Sequence, residues 1–379
     1  MAQSVSVHIQ ELCELIVGFL QDSRADLESC ALVSPAFTLP AQRHLFRDID
    51  ITLVGELPDR FFTILAAAPH ILPLVRRIRT YFREDVLTQL CDLHFPNLRE
   101  LSFTGNTSSV SFIFTRNTSS AGLKSAATLV GLPSIRSVTL DDYYFISADV
   151  NELFERCTSP LDSLILDTGT IADNAEPTAP SRRIKLNRLV IRDRWDTWMW
   201  LLHPMSPFDL TAIHELDYNS SNLFSPPATL LNSSRRTLNK LRITGEAYDG
   251  VLPLCIAVAG LPALTHLVVT VPAHLKWEVM TCPLLRSDSV VLITFAMHRN
   301  IHSVFSSDHS TARLGVLRSN MSAQAFPKLQ TVELAVPAHF FGAGIGWQEV
   351  QERVRAAMLG WDMYDKLNVT GLSALAARI

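Results

Sequence analysis

Apolar residues recur along this chain at two different spacings. In the first 50 residues the steps are three and four. Leu12, Leu15, Ile16, Phe19 and Leu20 recur at such steps between Glu11 and Leu20, which predicts one face of a helix. Ser23 is placed to cap a second helix, with Asp26 three residues on as the acidic partner of a capping box, and Leu27, Cys30 and Ala31 share the face that follows. Ser34 then Pro35 gives a third start signal, a capping hydroxyl before a proline at the first helical position. Phe37, Ala41 and Leu45 fall at intervals of four, and Pro40 inside that pattern predicts a kink or a restart. Three short helices within about 40 residues cannot bury all this apolar surface among themselves, so part of it must face a partner.

Beyond the helices the pattern changes to a phrase with apolar residues at L-x-x-L-x-L, often preceded by proline. Its instances are Leu98-Leu101-Phe103, Ile135-Val138-Leu140, Leu161-Leu164-Leu166, Leu186-Leu189-Ile191, Ile213-Leu216-Tyr218, Leu238-Leu241-Ile243, Leu264-Leu267-Val269 and Leu329-Val332-Leu334. Weaker copies are Phe46-Ile49-Ile51, Val75-Ile78-Thr80 and Val290-Ile293-Phe295. Taking the middle residue as a marker, the steps from 138 through 164, 189, 216, 241, 267 and 293 are 26, 25, 27, 25, 26 and 26. A repeat of this length with this phrase is the signature of a leucine-rich-repeat solenoid. Each unit offers a short strand and a returning segment. Neither buries its apolar face alone, so neighbouring units must stack and share one core. Pro96, Pro133, Pro160, Pro262 and Pro327 precede strands, where proline ends the returning segment and sets up an extended lead-in.

The period is disturbed twice. The step from 101 to 138 is 37, and its excess falls in TGNTSSVSFIFTRNTSSAG, which reads as a surface insertion or irregular hairpin. The step from 293 to 332 is 39 and includes HRNIHSVFSSDHSTARLG, read as a loop or second helix. Trp347, Val350, Val354, Ala357 and Met358 fall at helical spacing and predict a terminal cap over the open end of the array, with a final strand at Lys366 to Val369.

Composition narrows the picture. The chain is 47% hydrophobic and 18% charged, which predicts a folded protein. A formal charge of −4 gives no reason to expect nucleic acid or an anionic membrane surface as partner. The N-terminus lacks a basic start, and Glu11 and Glu14 interrupt its apolar run, so no secretory signal is expected. Six scattered cysteines without a CxxC pair read as buried free thiols of a reducing compartment, cytoplasmic or nuclear. The uncharged run from Gly250 to Ala273 is long enough to cross a bilayer. Pro253, Gly260 and Pro262 divide it, however, into a short helix and a strand from about Leu264.

The helical front resembles an F-box, in the form common in large fungal families. The matching residues are Glu11, Leu12, Ile16, Phe19, Leu20, Leu27, Cys30, Leu32, Val33, Ser34, Phe37, Ala41, His44, Leu45, Phe46 and Arg47. Ile9 and Gln10 stand where the family has a leading proline, and Phe37 where it has a tryptophan. The resemblance implies an α/β chain with a three-helix F-box at 1–50 and a leucine-rich-repeat-like solenoid with a curved parallel sheet and a C-terminal cap at 51–379. It implies a substrate-recognition adaptor of a Skp–cullin–F-box ubiquitin ligase, without catalysis or cofactor of its own. Leu12, Ile16, Phe19, Leu20, Leu32, Val33 and Phe37 would meet the Skp-type linker and through it a cullin. The rival reading is a ligase-independent repeat scaffold that binds a protein, its helical front serving only as a cap.

Residues between the inward positions of the strands point outward. They include Glu100, Ser102, Ser137, Thr139, Arg188, Glu215, Asp217, Lys240, Arg242, His266, Thr331 and Glu333, a mixture of both signs that suits a protein ligand better than a polyanion. Arg188, Glu215, Asp217, Lys240, Arg242 and His266, with Trp195 and Trp198 of the WDTWMW run, are the candidate substrate contacts, since tryptophans concentrate binding energy at interfaces. Tryptophans also fill gaps between repeats, and packing is the favoured reading of this run. Other constellations carry less. His298 and His302 lack a third metal ligand, GAGIG at 342–346 lacks the spacing of a phosphate cradle, and Asp141 to Tyr144 reads as a solvated turn. No hydrolase or nucleophile motif is present.

Overall fold

The computed structural model describes residues 2–52, 57–105, 120–172, 182–192, 200–220, 228–245, 258–271, 286–297, 314–315, 318, 322–336 and 346–371. The chain forms two compact units, one comprising Met1–Leu161 with Asn174–Pro177, the other Asp162–Asp173 with Thr178–Ile379.

The first unit opens with α1 (Ala2–Phe19), α2 (Arg24–Val33) and α3 (Pro35–Leu45). Ser23 caps α2, its hydroxyl accepting from the Asp26 amide at 3.4 Å. Ser34 stands before α3 in extended backbone, with Pro35 setting the first turn, but the Ser34 hydroxyl makes no cap hydrogen bond. Instead the Thr38 hydroxyl donates to the carbonyls of Ala31 (3.0 Å) and Ser34 (3.2 Å), tying α3 to the end of α2. Of the kink or restart expected at Pro40, the restart does not occur. The helix runs through it, and Pro40 and Ala41 are both buried, so packing carries the helix past the missing N–H. Val17, Leu27 and Ala41 form the centre of this small core, with Leu20, Cys30, Ala31, Phe37 and Leu45 packed around it.

The unit continues with β1 (Asp48–Asp50), α4 (Leu57–Ala67), a 3-10 helix (Pro69–Leu74), β2 (Arg77–Tyr81), α5 (Glu84–Cys91), β3 (Glu100–Thr104), α6 (Ser120–Val130), β4 (Ser137–Ile146) and α7 (Ser147–Phe154). Strands β1 to β4 lie side by side in sequence order, all parallel. Ile49 is in register with Ile78, Ile78 with Leu101 and Leu101 with Val138. Parallel neighbours need a returning segment, and the helices supply it. Val86, Leu87 and Leu90 of α5, Leu123, Ala126 and Val130 of α6, and Val150, Leu153 and Phe154 of α7 are buried. Phe103 and Phe145 are buried in the core, and the half-buried Phe82 packs on them, its ring 4.8 Å from that of Phe103 and 5.1 Å from that of Phe145. Asp141 to Tyr144, read as a solvated turn, belong instead to the ten-residue β4. Asp142 has φ 49°, and its carbonyl closes on Gly105. Of the stretch expected to be an insertion, 106–119 lies outside the described residues, and its end from Ser120 is the start of α6.

The second unit holds β5 (Leu161–Ala172, beginning at the boundary), β6 (Ile184–Arg192), the two-residue β7 (Phe208–Asp209), β8 (Glu215–Ser220), α8 (Ala228–Ser233), β9 (Lys240–Gly245), β10 (His266–Val271), β11 (Leu292–Met297), β12 (Thr331–Val336), α9 (Trp347–Ala357) and β13 (Leu367–Gly371). The strands are ordered β5, β6, β8, β9, β10, β11, β12, β13, with β7 beside β6. The markers read from the sequence are in register from strand to strand: Leu189 with Leu216, Leu216 with Leu241, Leu241 with Leu267, Leu267 with Ile293 and Ile293 with Val332, each pair parallel. All of them and Leu164 are buried. Both units are therefore α/β with parallel strands in sequence order, an arrangement compatible with a solenoid.

A turn recurs before the strands. The amides of Leu98, Ile135, Leu264 and Leu329 donate to the carbonyls of Phe95, Leu132, Leu261 and Phe326, each three residues back. Pro96, Pro133, Pro262 and Pro327 each follow the accepting residue, the turn position that φ of about −65° suits best. These prolines thus build the turn rather than the extended lead-in. Val350, Val354 and Met358 are buried as the helical spacing requires. Yet α9 does not end the array: it is the returning segment between β12 and β13, and β13 pairs in parallel beyond it. In the uncharged run, the described part shows Val258 and Ala259 helical, a turn at Gly260 and the strand from His266. Among the described residues no helix is long and apolar enough to cross a membrane.

Candidate functional site

Two surfaces carry the candidate residues, one in each unit. On the helices of the first, α1 has apolar residues on more than one side. Cys13, Val17 and Leu20, at steps of four and three, turn toward the core, and Val17 is fully buried. Leu12, Leu15, Ile16 and Phe19 lie on the rest of the helix and are exposed, Leu12 by 55% and Phe19 by 80%. Leu32 and Val33, at the last turn of α2, are exposed by 88% and 71%. Leu20 and Phe37, grouped with these in the sequence, are only partly open because they pack on Val17, Leu27 and Ala41. The helices thus separate the seven residues into five that are open and two that hold the core. Leu15 and Leu39 are also exposed and enlarge the apolar surface. Leu15 was visible as part of the stripe, whereas Leu39 carried no helical-spacing signal. The Glu14 carboxylate accepts from Arg43 at 2.8 Å, an exposed pair that joins α1 to α3. Such a pair orients the helices more than it stabilises them.

On the sheet of the second unit the register brings Arg188, Glu215, Lys240 and His266 into one row across β6, β8, β9 and β10, and Asp217 and Arg242 into the next row. One Glu215 carboxylate oxygen lies 3.8 Å from Arg188 and 3.6 Å from Lys240, and Asp217 lies 4.0 Å from Arg242. The charges mostly answer one another. Asp217 is buried, and so are Val268, Thr294, Glu333 and Ala335 on the same outward positions further along. The expectation of an open polar face therefore fails for Asp217 and Glu333. Glu333 accepts from the hydroxyls of Thr294 (3.3 Å) and Thr370 (3.2 Å), which repay part of the cost of burying it. His266 is exposed, its Nδ1 2.8 Å from the Thr265 hydroxyl. Trp195, Trp198, His298, His302 and the first four residues of GAGIG lie outside the described residues. Trp200 is described: it is buried against Phe208, with ring centroids 5.8 Å apart, as packing between repeats requires.

Among the described residues no three metal-ligating side chains come together. Of the described cysteines, Cys13 and Cys157 are buried as expected, whereas Cys30 and Cys91 are only half-buried, and none of the four forms a disulfide with another described residue. Burial, then the neighbouring Asp92 charge, pushes the Cys91 thiol up. The hydrogen bond from Arg83 holds the Asp85 carboxyl below its ordinary range, at the first turn of α5. Neither group belongs to the surfaces above. No protein-family model matches the chain, and no curated protein matches it.

Proposed function

We propose that this chain is a non-catalytic adaptor of a Skp–cullin–F-box type ubiquitin ligase. Its three helices dock on a Skp-type linker, and its parallel-strand repeats recruit a protein substrate. The reading rests on the F-box resemblance of the helical front. The observation that carries it is the exposure of Leu12, Ile16 and Phe19 on α1 and of Leu32 and Val33 on α2, left open by a helical core that Val17, Leu27 and Ala41 complete without them. Exposed apolar patches of this kind mark protein-binding surfaces.

Phe19 and Leu32 are the most exposed of the five, so truncating them leaves the helical core intact. Burying such side chains on a partner contributes roughly 1.5–3 kcal/mol each. The double variant Phe19→Ala with Leu32→Ala is expected to weaken binding to a Skp-type protein by a factor of about 100 or more. Calorimetric titration measures this, with circular dichroism as the folding control. Unchanged affinity would remove both residues from the docking face. A correctly folded, unmutated chain that binds no linker would overturn the adaptor reading and leave the ligase-free scaffold.

A further inference from the structure

One position of the repeat phrase holds the same residue in every copy of the first unit. The residue just before the strand is Arg47 at β1, Arg76 at β2, Arg99 at β3 and Arg136 at β4. Backbone hydrogen bonds stack these positions. The Arg47 carbonyl accepts from the amides of Arg76 (2.9 Å) and Arg77 (3.0 Å). The Arg76 carbonyl accepts from Arg99 (2.8 Å) and Glu100 (3.0 Å), and the Arg99 carbonyl from Arg136 (2.8 Å) and Ser137 (3.0 Å). Four arginines from four distant parts of the sequence therefore stand on adjacent strands, about 4.8 Å apart.

All four are exposed. Arg47 has a neighbouring carboxylate, Asp48, at 4.0 Å. Among the described residues Arg76, Arg99 and Arg136 make no side-chain ion pair. Within the strands, the same sheet answers arginine with acid: Arg77, one residue beyond Arg76, meets Glu100 at 2.6 Å, and Arg79, three beyond it, meets Asp141 at 2.8 Å. In the row before the strands, arginine faces arginine, and like charges placed opposite one another are destabilising.

The backbone pairing does not need arginine there. In the second unit the same position of the phrase, two residues before each marker, is filled by Asp162, Asn187, His214, Asn239, Thr265, Val291 and Gln330. Carbonyls at this position carry the same bonds without arginine, His214 accepting from Asn239 (2.9 Å) and Lys240 (3.0 Å), Asn239 from Thr265 (2.9 Å) and His266 (3.0 Å), and Thr265 from Val291 (2.9 Å) and Leu292 (3.0 Å). Arginine is thus not required for the pairing, and a row of like charges is costly without a counter-charge.

We propose that the Arg47, Arg76, Arg99 and Arg136 row binds a short acidic segment of a protein partner, rich in aspartate and glutamate. The row is about 14 Å long, which an extended peptide of four or five residues covers. Guanidinium forks pair with carboxylates in two parallel hydrogen bonds. The chain carries a net charge of −4, which opposes the approach of a long polyanion and favours a brief acidic stretch. The inference does not depend on linker docking, because the test contains no linker.

The full-length protein is titrated at low salt by fluorescence anisotropy with three labelled probes. They are a peptide of about eight alternating Asp and Glu residues, its Asn/Gln counterpart, and an oligouridylate of similar length. The unchanged protein is expected to bind the acidic peptide and not the amide peptide. Arg76→Gln with Arg99→Gln should weaken that binding about tenfold or more. Arg235→Gln with Arg236→Gln, an equal charge change at exposed sites in the second unit, should leave it within about twofold. The melting temperature of the first variant should hold or rise, since like-charge repulsion is relieved. Equal weakening by both variants, no binding of the acidic peptide, or tighter binding of the oligouridylate would each overturn the proposal. A fall in melting temperature would assign the arginines a structural role and overturn it as well.

Discussion

At the scale of single residues, the sharpest constraint sits where two strands of the first unit crowd together. The Gly105 amide donates to the Asp141 carbonyl at 2.8 Å, and a Cβ on Gly105 would stand 1.6 Å from the Asp142 backbone oxygen. Asp142 reaches that place with φ 49°, a conformation that aspartate and asparagine tolerate better than most side chains. Gly105→Ala is therefore expected to destabilise the protein by roughly 3 kcal/mol or more, because backbone rather than a mobile side chain must move. Asp142→Asn should change stability by less than about 0.5 kcal/mol. Urea denaturation of the two variants checks the contrast, and equal effects would show that the close approach does not govern this corner. Nothing in the sequence announced it, since Gly105 stands near the start of the stretch read as a surface insertion or irregular hairpin. The candidate contacts show the same division. Alternation put Glu215, Lys240 and His266 among the outward positions, and the strand register then sets them in one row. It could not say that Asp217 and Glu333 would be buried, because outward alternation describes one sheet face and not what covers it.

At the scale of elements, local chemistry and packing share the work. The α2 start follows directly from Ser23, whose hydroxyl takes the Asp26 amide. Removing it in Ser23→Ala should cost about 1 kcal/mol, and the loss should appear as faster amide exchange in the first turn of α2 without loosening β2 or β3. Uniform loosening of the whole first unit would contradict a local role. Spacing predicted α2, α3 and α9 and left a kink or a restart open at Pro40, where the helix is continuous and burial outweighs proline's local cost. It foresaw a final strand near Lys366 to Val369, found at Leu367 to Gly371, but read α9 as a cap rather than as the returning segment before that strand. Helical periodicity identifies a face to bury but not its partner. On α1 the stripe was legible, but its split between core and surface was not. Val17 falls outside the stripe read from Leu12, Ile16 and Phe19, and only the packing of α2 and α3 decides which side is covered.

At the scale of the whole molecule, the chain extends by repetition, and this sets how damage should spread. Each strand of the second unit pairs only with its neighbours, and each marker meets a marker on either side, as Leu241 meets Leu216 and Leu267. Stability in such an array is close to a sum of unit terms and nearest-neighbour terms. Leu241 is fully buried, so Leu241→Ala is expected to cost about 2–5 kcal/mol through lost burial and the cavity left behind. If neighbour coupling dominates, amide protection in the full-length variant should fall most in β9, next in β8 and β10, and least in β2 and β3 of the first unit. Hydrogen exchange read by mass spectrometry resolves these segments. A uniform fall from Arg77–Tyr81 through Leu367–Gly371 would mean one cooperative whole and refute the graded picture. The regular period from 138 to 293 makes the graded outcome the stronger physical expectation. Among the described residues of the second unit, strand pairing joins only neighbouring repeats, so none ties distant repeats to one transition.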